Sequence, residues 1–269
     1  MPILKKIKEN IRTISYIENI ARIYQEIARI RMNEIREMVL KNREFIEELL
    51  KVYRIVRGFQ LEKKRVEKKK RILVFLSSNE RFYGSLILDI WKEVEKYLKE
   101  KGGDLAIVGR MGRYLAEKSD LKLNFFYFEL DDEKPELERI KEIVEFLKGY
   151  HEILVFHGKF RTVLDQRVEV TNIGGKEIGK EKIEKSYLFE PSPEEVSRFF
   201  EEELLFSFFN QVLWDHQLSR YATRMVSMYR AQENAKKIKE KMEMKMEKLK
   251  REIYNKKQIE QFASYKLWS

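Results

Sequence analysis

All eleven glycines of this 269-residue chain lie between Gly58 and Gly179, so neither flank contains one. The front is also free of proline after Pro2, and the end after Pro193. Glycine inside a helix costs roughly 1 kcal/mol and proline roughly 3. Both ends are therefore free to form long unbroken helices, from Ile3 to Arg57 and from Glu194 to about Lys266. At 1.5 Å per residue these would extend about 80 Å and about 110 Å. Helices of that length do not fold back into one compact globule. The expected architecture is a rod built by the two ends, carrying a globular middle.

The helical flanks are amphipathic. Apolar residues recur at Ile7, Ile11, Ile14, Ala21, Tyr24, Ala28, Ile35 and Met38, and again at Met225, Met228, Ala231, Ala235, Ile238, Met242, Met246, Leu249 and Ile253. Steps of three and four keep a narrow stripe on one helix face, the seam of a coiled coil. The simplest pairing is antiparallel, one flank against the other; an ordinary helical bundle is the alternative. The expected division is an N-terminal coiled-coil helix over 1–60, a central α/β domain over 70–190, and a C-terminal coiled-coil helix over 194–269.

The middle changes period. Arg71–Ser77, Leu105–Val108, Leu123–Phe128 and Ile153–Phe156 are short apolar, β-branched and aromatic runs that suit buried parallel strands. Helical stretches separate them at Leu86–Lys101, about Gly112–Lys118 and Pro135–Lys148, with Pro135 in a first turn and Gly149 at an end. Strand–helix alternation implies an open, Rossmann-like α/β sheet. Arg167–Thr171 alternates and Ser186–Glu190 resembles a strand, so an antiparallel edge is expected, and Ser192 is a good N-cap for the last helix.

Composition narrows the chemistry. A hydrophobic content of 43% supports a core, while 37% charged residues fit much exposed helix. The net charge of +10 makes nucleic acid, an anionic membrane or an acidic protein surface plausible partners. Without cysteine there is no disulfide and no thiolate-bound metal. No apolar run approaches the ~20 residues of a membrane span. A secretory signal core is missing, and Glu9 and Glu18 argue against a transit peptide. A soluble protein is expected, with any membrane association made through partners.

Gly174–Lys180 has the spacing of a phosphate-binding P-loop, but Glu181 stands where a magnesium-binding Ser or Thr is needed, and its charge repels phosphate. Ser77–Gly84 follows the first strand, where Rossmann folds hold phosphate, yet lacks the glycine triplet. His151, His157 and His216 have neither metal-ligand nor triad spacing and are expected to be structural. No cofactor, metal or catalytic residue is expected, and the chain alone is not expected to be an enzyme.

Several blocks carry a family resemblance. Ser219-Arg-Tyr-Ala-Thr-Arg-Met-Val-Ser-Met-Tyr-Arg-Ala-Gln-Glu-Asn-Ala-Lys236 is similar to the Ala-Arg-Met-x-Ala-Met core, then Ala-Thr-x-Asn-Ala, of F-type ATP synthase gamma subunits. Tyr187–Val196, Ile7–Ile14 with Ile20 and Ala28, and Leu105–Arg113 resemble further family segments in the same order. The chain departs from the family at Ser78–Ser85, at Ile20–Ile27, and at Lys250-Arg251 with Tyr254–Lys257, as a divergent branch or paralogue would. The resemblance implies a central-stalk rotor that couples rotation to three ATP sites on beta subunits. It implies alpha and beta subunits of the catalytic head, an epsilon-like subunit and a membrane rotor ring as partners. It also implies a peripheral location on the cytoplasmic face of the cell membrane, reached through the complex. Arg224, Lys250, Arg251, Asn255 and Tyr24 are the implied partner contacts. The basic run from Lys236 to Arg251 faces acidic beta-subunit loops on this reading, and solvent on the plainer one. A coiled-coil adaptor of another complex and a basic nucleic-acid binder are the rival readings.

Overall fold

In the computed structural model, residues 2–58, 69–80, 83–121, 123–174 and 190–266 are described, with side chains left aside at 2, 57–58, 69–70 and 264–266. Ser186–Phe189 of the expected Ser186–Glu190 strand and most of the Gly174–Glu181 string lie outside these residues. Helix α1 runs Pro2–Gly58 and helix α5 Pro193–Lys266, each unbroken, as the glycine and proline distribution predicts. Ser192 caps α5 as expected: the Glu195 N–H donates to its Oγ at 3.3 Å.

Between them lie β1 (Lys69–Leu76), α2 (Leu86–Lys101), β2 (Asp104–Val108), α3 (Arg110–Lys118), β3 (Phe125–Phe128), α4 (Leu137–Leu147), β4 (Tyr150–Phe160) and β5 (Gln166–Asn172). They form one sheet in the order β3-β2-β1-β4-β5. The first four strands in this order are parallel, and β5 runs antiparallel to β4, the expected edge. Alternation along β1 serves both faces. Ile72, Val74 and Leu76 pack with α4 and with Phe209, Val212 and Leu213 of α5, while Leu73 and Phe75 pack with α2 and Ala116 of α3. A strand buried on both faces carries no polar side, hence its continuous apolar run. Two boundaries differ from expectation. Pro135 precedes α4 rather than opening it, and α3 starts at Arg110, ahead of Gly112.

The chain divides into two compact units, residues 29–224 and residues 1–28 with 225–269. In the latter, the shielded seam is Ile7, Ile11, Ile14, Glu18, Ala21, Gln25 and Ala28 on α1, and Met225, Met228, Gln232, Ala235, Lys239, Met242, Met246, Leu249 and Ile253 on α5. Tyr24 and Ile238 are exposed and fall off it, as does Met38 in the larger unit, where Val39 is buried. The cause is the same each time. A step of three must be followed by a step of four to hold the stripe, which selects Gln25, Val39 and Lys239 over Tyr24, Met38 and Ile238. Glu18 and Lys239 meet across the seam at 3.6 Å.

Candidate functional site

Open α/β sheets bind ligands beyond the carboxyl ends of their strands, so the residues there decide what the larger unit can do. The start of the loop after β1, Ser77 to Asn79, is engaged internally. Ser77 Oγ donates to Val108 O at 2.7 Å and accepts from Gly112 N–H at 2.9 Å. Met111 N–H donates to Ser78 O at 2.8 Å, and Arg110 N–H to Asn79 Oδ1 at 2.9 Å. These are the amides at the start of α3 that a phosphate would need, and each already has an acceptor. Gly109, at φ +101°, makes the approach possible: a Cβ there would lie 2.8 Å from Ser77 Oγ.

Helix α5 supplies the rest. Asp215, His216, Gln217, Ser219, Arg220 and Arg224 are all buried. Arg220 Nη1 donates to Asp132 Oδ1 at 2.5 Å and to Ser77 O at 3.3 Å, and Nη2 donates to Asp132 O at 3.2 Å. Gln217 Nε2 reaches the same Asp132 carbonyl at 3.2 Å. The other Asp132 oxygen, Oδ2, accepts the Asn79 and Glu80 N–H groups at 2.9 and 2.8 Å. On another flank, Asp215 receives Lys159 Nζ at 2.6 Å and Arg43 Nη2 of α1 at 3.3 Å.

Two histidines complete the arrangement, and geometry fixes their tautomers. Gly158 N–H donates to His216 Nδ1 at 3.0 Å, so the proton sits on Nε2 and is donated to Ser77 O at 3.1 Å. His157 Nδ1–H donates to Gly158 O at 3.1 Å, and its Nε2 accepts from Thr171 Oγ1 at 2.8 Å. Burial holds His157 neutral, its pKa lowered to about 4, and pushes His216 well below the usual range, helped by the neighbouring Arg220 charge. Gly158 lets α5 reach the sheet, since a Cβ would meet Ser219 Oγ at 2.7 Å and Leu86 Cδ2 at 3.0 Å. The structural role expected for His157 and His216 is what their contacts describe. His151 lies apart from them and is exposed.

The residues implied as partner contacts are not brought together in one place. Lys250, Arg251 and Asn255 are exposed on the C-terminal stretch of α5, and Arg251 Nη2 lies 4.0 Å from Glu247. Tyr24 is exposed on α1, off the seam. Arg224 is turned inward and only 2% exposed; its Nη2 donates to Glu80 Oε2 at 2.5 Å, and its guanidinium lies 4.1 Å from the Tyr83 ring centroid. The side chain that faces solvent at this point is Glu80, half-exposed. Sequence reading missed Asp132, Asp215, Gln217 and Arg220, because their partners lie up to 172 residues away and no periodicity announces them. The only cue was the polar run Asp215-His-Gln-Leu-Ser-Arg220 within a helix. Among the described residues, no group of His, Asp and Glu is placed to hold a metal, and no helix is long and apolar enough to cross a membrane.

Comparison with known proteins agrees with this architecture. The family described as ATP synthase matches residues 3–253. A gamma chain of ATP synthase from Roseiflexus castenholzii is 26% identical, over 98% of this chain and 97% of its own length. One from Dictyoglomus thermophilum is 24% identical, over 93% and 92%. Among solved structures, the rotor of Euglena gracilis mitochondrial ATP synthase superposes with a TM-score of 0.66 at 14% identity, covering 94% of this chain and 99% of that one. The central stalk and c-ring structure from Tetrahymena thermophila contains a chain matching with a TM-score of 0.61 at 18% identity, covering 79% and 99%. Two uninterrupted terminal helices around a five-stranded α/β sheet, matched over nearly the whole length, place this chain in the ATP synthase gamma-chain family.

Proposed function

We infer that this chain is the central-stalk rotor of an F-type ATP synthase and does no covalent chemistry itself. The observation that carries the reading is the family match over residues 3–253 on a chain whose two ends are unbroken helices. Segments 1–60 and 194–269 act as the axle and segment 70–190 as the domain that joins it to the rest of the rotor. The partners are the alpha and beta subunits, an epsilon-like subunit and a membrane ring, at the cytoplasmic face of the membrane. An asymmetric axle distinguishes three otherwise equivalent sites through contacts that differ between rotor orientations. Lys250, Arg251, Asn255 and Tyr24 are exposed and offer such contacts, whereas Arg224 orients the Glu80 carboxylate.

The absence of catalysis is supported by the crevice itself. The α3 amides are engaged by Ser77, Ser78 and Asn79, and Arg220 by Asp132, so among the described residues these groups of the crevice are already taken by acceptors within the chain. Purifying the native complex through a tag on this chain is the direct experiment. One copy is expected per three beta subunits, together with membrane-ring subunits. A complex without ATP-binding partners overturns the reading. Calorimetry of the isolated chain is expected to detect no ATP binding at micromolar concentrations.

A further inference from the structure

A rotor helix must be fixed about its own axis where it meets the domain it turns, and apolar packing alone does this poorly. Burial of apolar surface is non-directional, whereas hydrogen bonds weaken steeply once bent below ~120°. Helix α5 is shared by both compact units, and within residues 29–224 its segment from Asp215 to Ala222 is buried all round. At about 100° per residue, Asp215 and Arg220 leave the helix about 140° apart.

We propose that Asp215, His216 and Arg220 are positioning residues that lock the rotation angle of α5 against the sheet, so that torque passes through this contact without twist. The three ties together reach several elements. Asp215 is held by Lys159 of β4 and Arg43 of α1, Arg220 by Asp132 beyond β3, and His216 by Gly158 of β4. Ser77 O, at the end of β1, accepts from both His216 and Arg220. Turning α5 in either sense therefore stretches at least one short charged contact. Ser219 against Gly158 leaves the helix no room to roll over the strand. These contacts occupy the crevice where open sheets of this kind take ligands.

The proposal rests on the rotor reading, and its test separates the two. The chain has no cysteine, so Leu164→Cys in the exposed turn before β5 supplies a single thiol for attaching a rotation probe to the assembled ATP synthase. ATP-driven rotation of this parent tests the rotor reading by itself. Asp215→Asn and Arg220→Lys keep side-chain size while weakening the ties, and Lys159→Met removes one cation from the half-exposed side as a milder variant. Torsional stiffness measured from probe fluctuations is expected to fall about twofold or more in the first two and less in Lys159→Met, with ATP turnover per assembled complex unchanged. Ile143→Ala, in the core on α4 and away from the ties, controls for lost stability. The proposal is overturned if stiffness stays at the parent value in all three tie variants, or if Ile143→Ala softens the rotor as much. Should the first two variants not assemble, Lys159→Met alone decides between these outcomes.

Discussion

Helix α5 is buried in two different ways, one in each compact unit. From Met225 onward it shows one shielded stripe to its partner and leaves the rest in water, and the polar residues in that stripe, Gln232 and Lys239, stay half-exposed. From Asp215 to Ala222 it is enclosed on every side, yet five of those eight residues, Asp215, His216, Gln217, Ser219 and Arg220, are polar. The seam needs only a repeat of three and four. The enclosed segment instead places Asp215, His216, Gln217 Nε2 and the Arg220 Nη groups against particular partners, because a buried group without one costs roughly 1–3 kcal/mol; Gln217 Oε1, Ser219 Oγ and Arg220 Nε stay unpaired there. Repetition builds the first, and particular long-range partners build the second.

The largest expected effect tests that distinction. Asp132→Ala removes the carboxylate that receives Arg220 and two backbone amides, all in a buried setting. Breaking a buried pair from one side costs about 3–5 kcal/mol, and urea unfolding of the purified chain should show a loss of that size. A loss under about 1 kcal/mol would mean that the cluster is as interchangeable as the seam.

Proton linkage gives the next test. His157 and His216 both have folded-state pKa values below the ordinary 6.5, with His157 at about 4. The unfolded chain takes up protons below about 6.5 while the folded chain does not. Their stabilising contribution is therefore complete above that pH and is lost as pH falls towards 4. His157 should remove about 2 kcal/mol by pH 5, at 1.36 kcal/mol per unit of difference, and His216 should add a loss of the same sign. Unfolding midpoints measured at pH 7.5 and pH 5 check this, and His157→Gln should flatten the dependence by its own share.

Gly158→Ala probes the closeness of helix and strand. Its Cβ would fall 2.7 Å from Ser219 Oγ and 3.0 Å from Ser219 Cβ. Overpacking of this kind costs about 1–3 kcal/mol. Ser219→Gly in the same chain should recover part of the loss in thermal melts; an additive double variant would place the strain elsewhere.

What could be read from the sequence follows the same division. The two long helices, the parallel strands and the antiparallel edge come from local rules: absence of glycine and proline, apolar runs, alternation. The seam was legible in period but wrong by one residue at Tyr24, Met38 and Ile238, where strict alternation of three and four puts Gln25, Val39 and Lys239; at Tyr24 and Ile238 an apolar side chain had been preferred to a polar one. The crevice was hardly legible at all. Nothing near Arg220 says that its partner is Asp132, since the pairing exists only once β2 has joined β1 to β3 in the sheet order. Arg224 shows how a motif marks a residue without stating its contact. The resemblance picked it out, and the fold spends it on Glu80 and Tyr83.

The smallest expected effect lies in the seam itself. Glu18 and Lys239 face each other at 3.6 Å with a quarter to a third of each side chain in water. A partly solvated pair gains modest Coulomb energy and loses side-chain freedom, so its coupling is expected to be about 0.2–1 kcal/mol. Glu18→Lys or Lys239→Glu alone should destabilise by a similar amount through like-charge repulsion, and the double reversal should return the chain close to the parent. A double-mutant cycle measured by urea unfolding gives the coupling, and repeating it at high salt should shrink it. Replacing both residues by leucine sharpens the contrast with Asp132. In the seam two leucines should hold or raise stability, because the stripe asks only for apolar surface at those positions. A coupling of several kcal/mol, or a collapse of the leucine variant, would show that this pair is as specific as the buried cluster, and the division between the two regions would then fail.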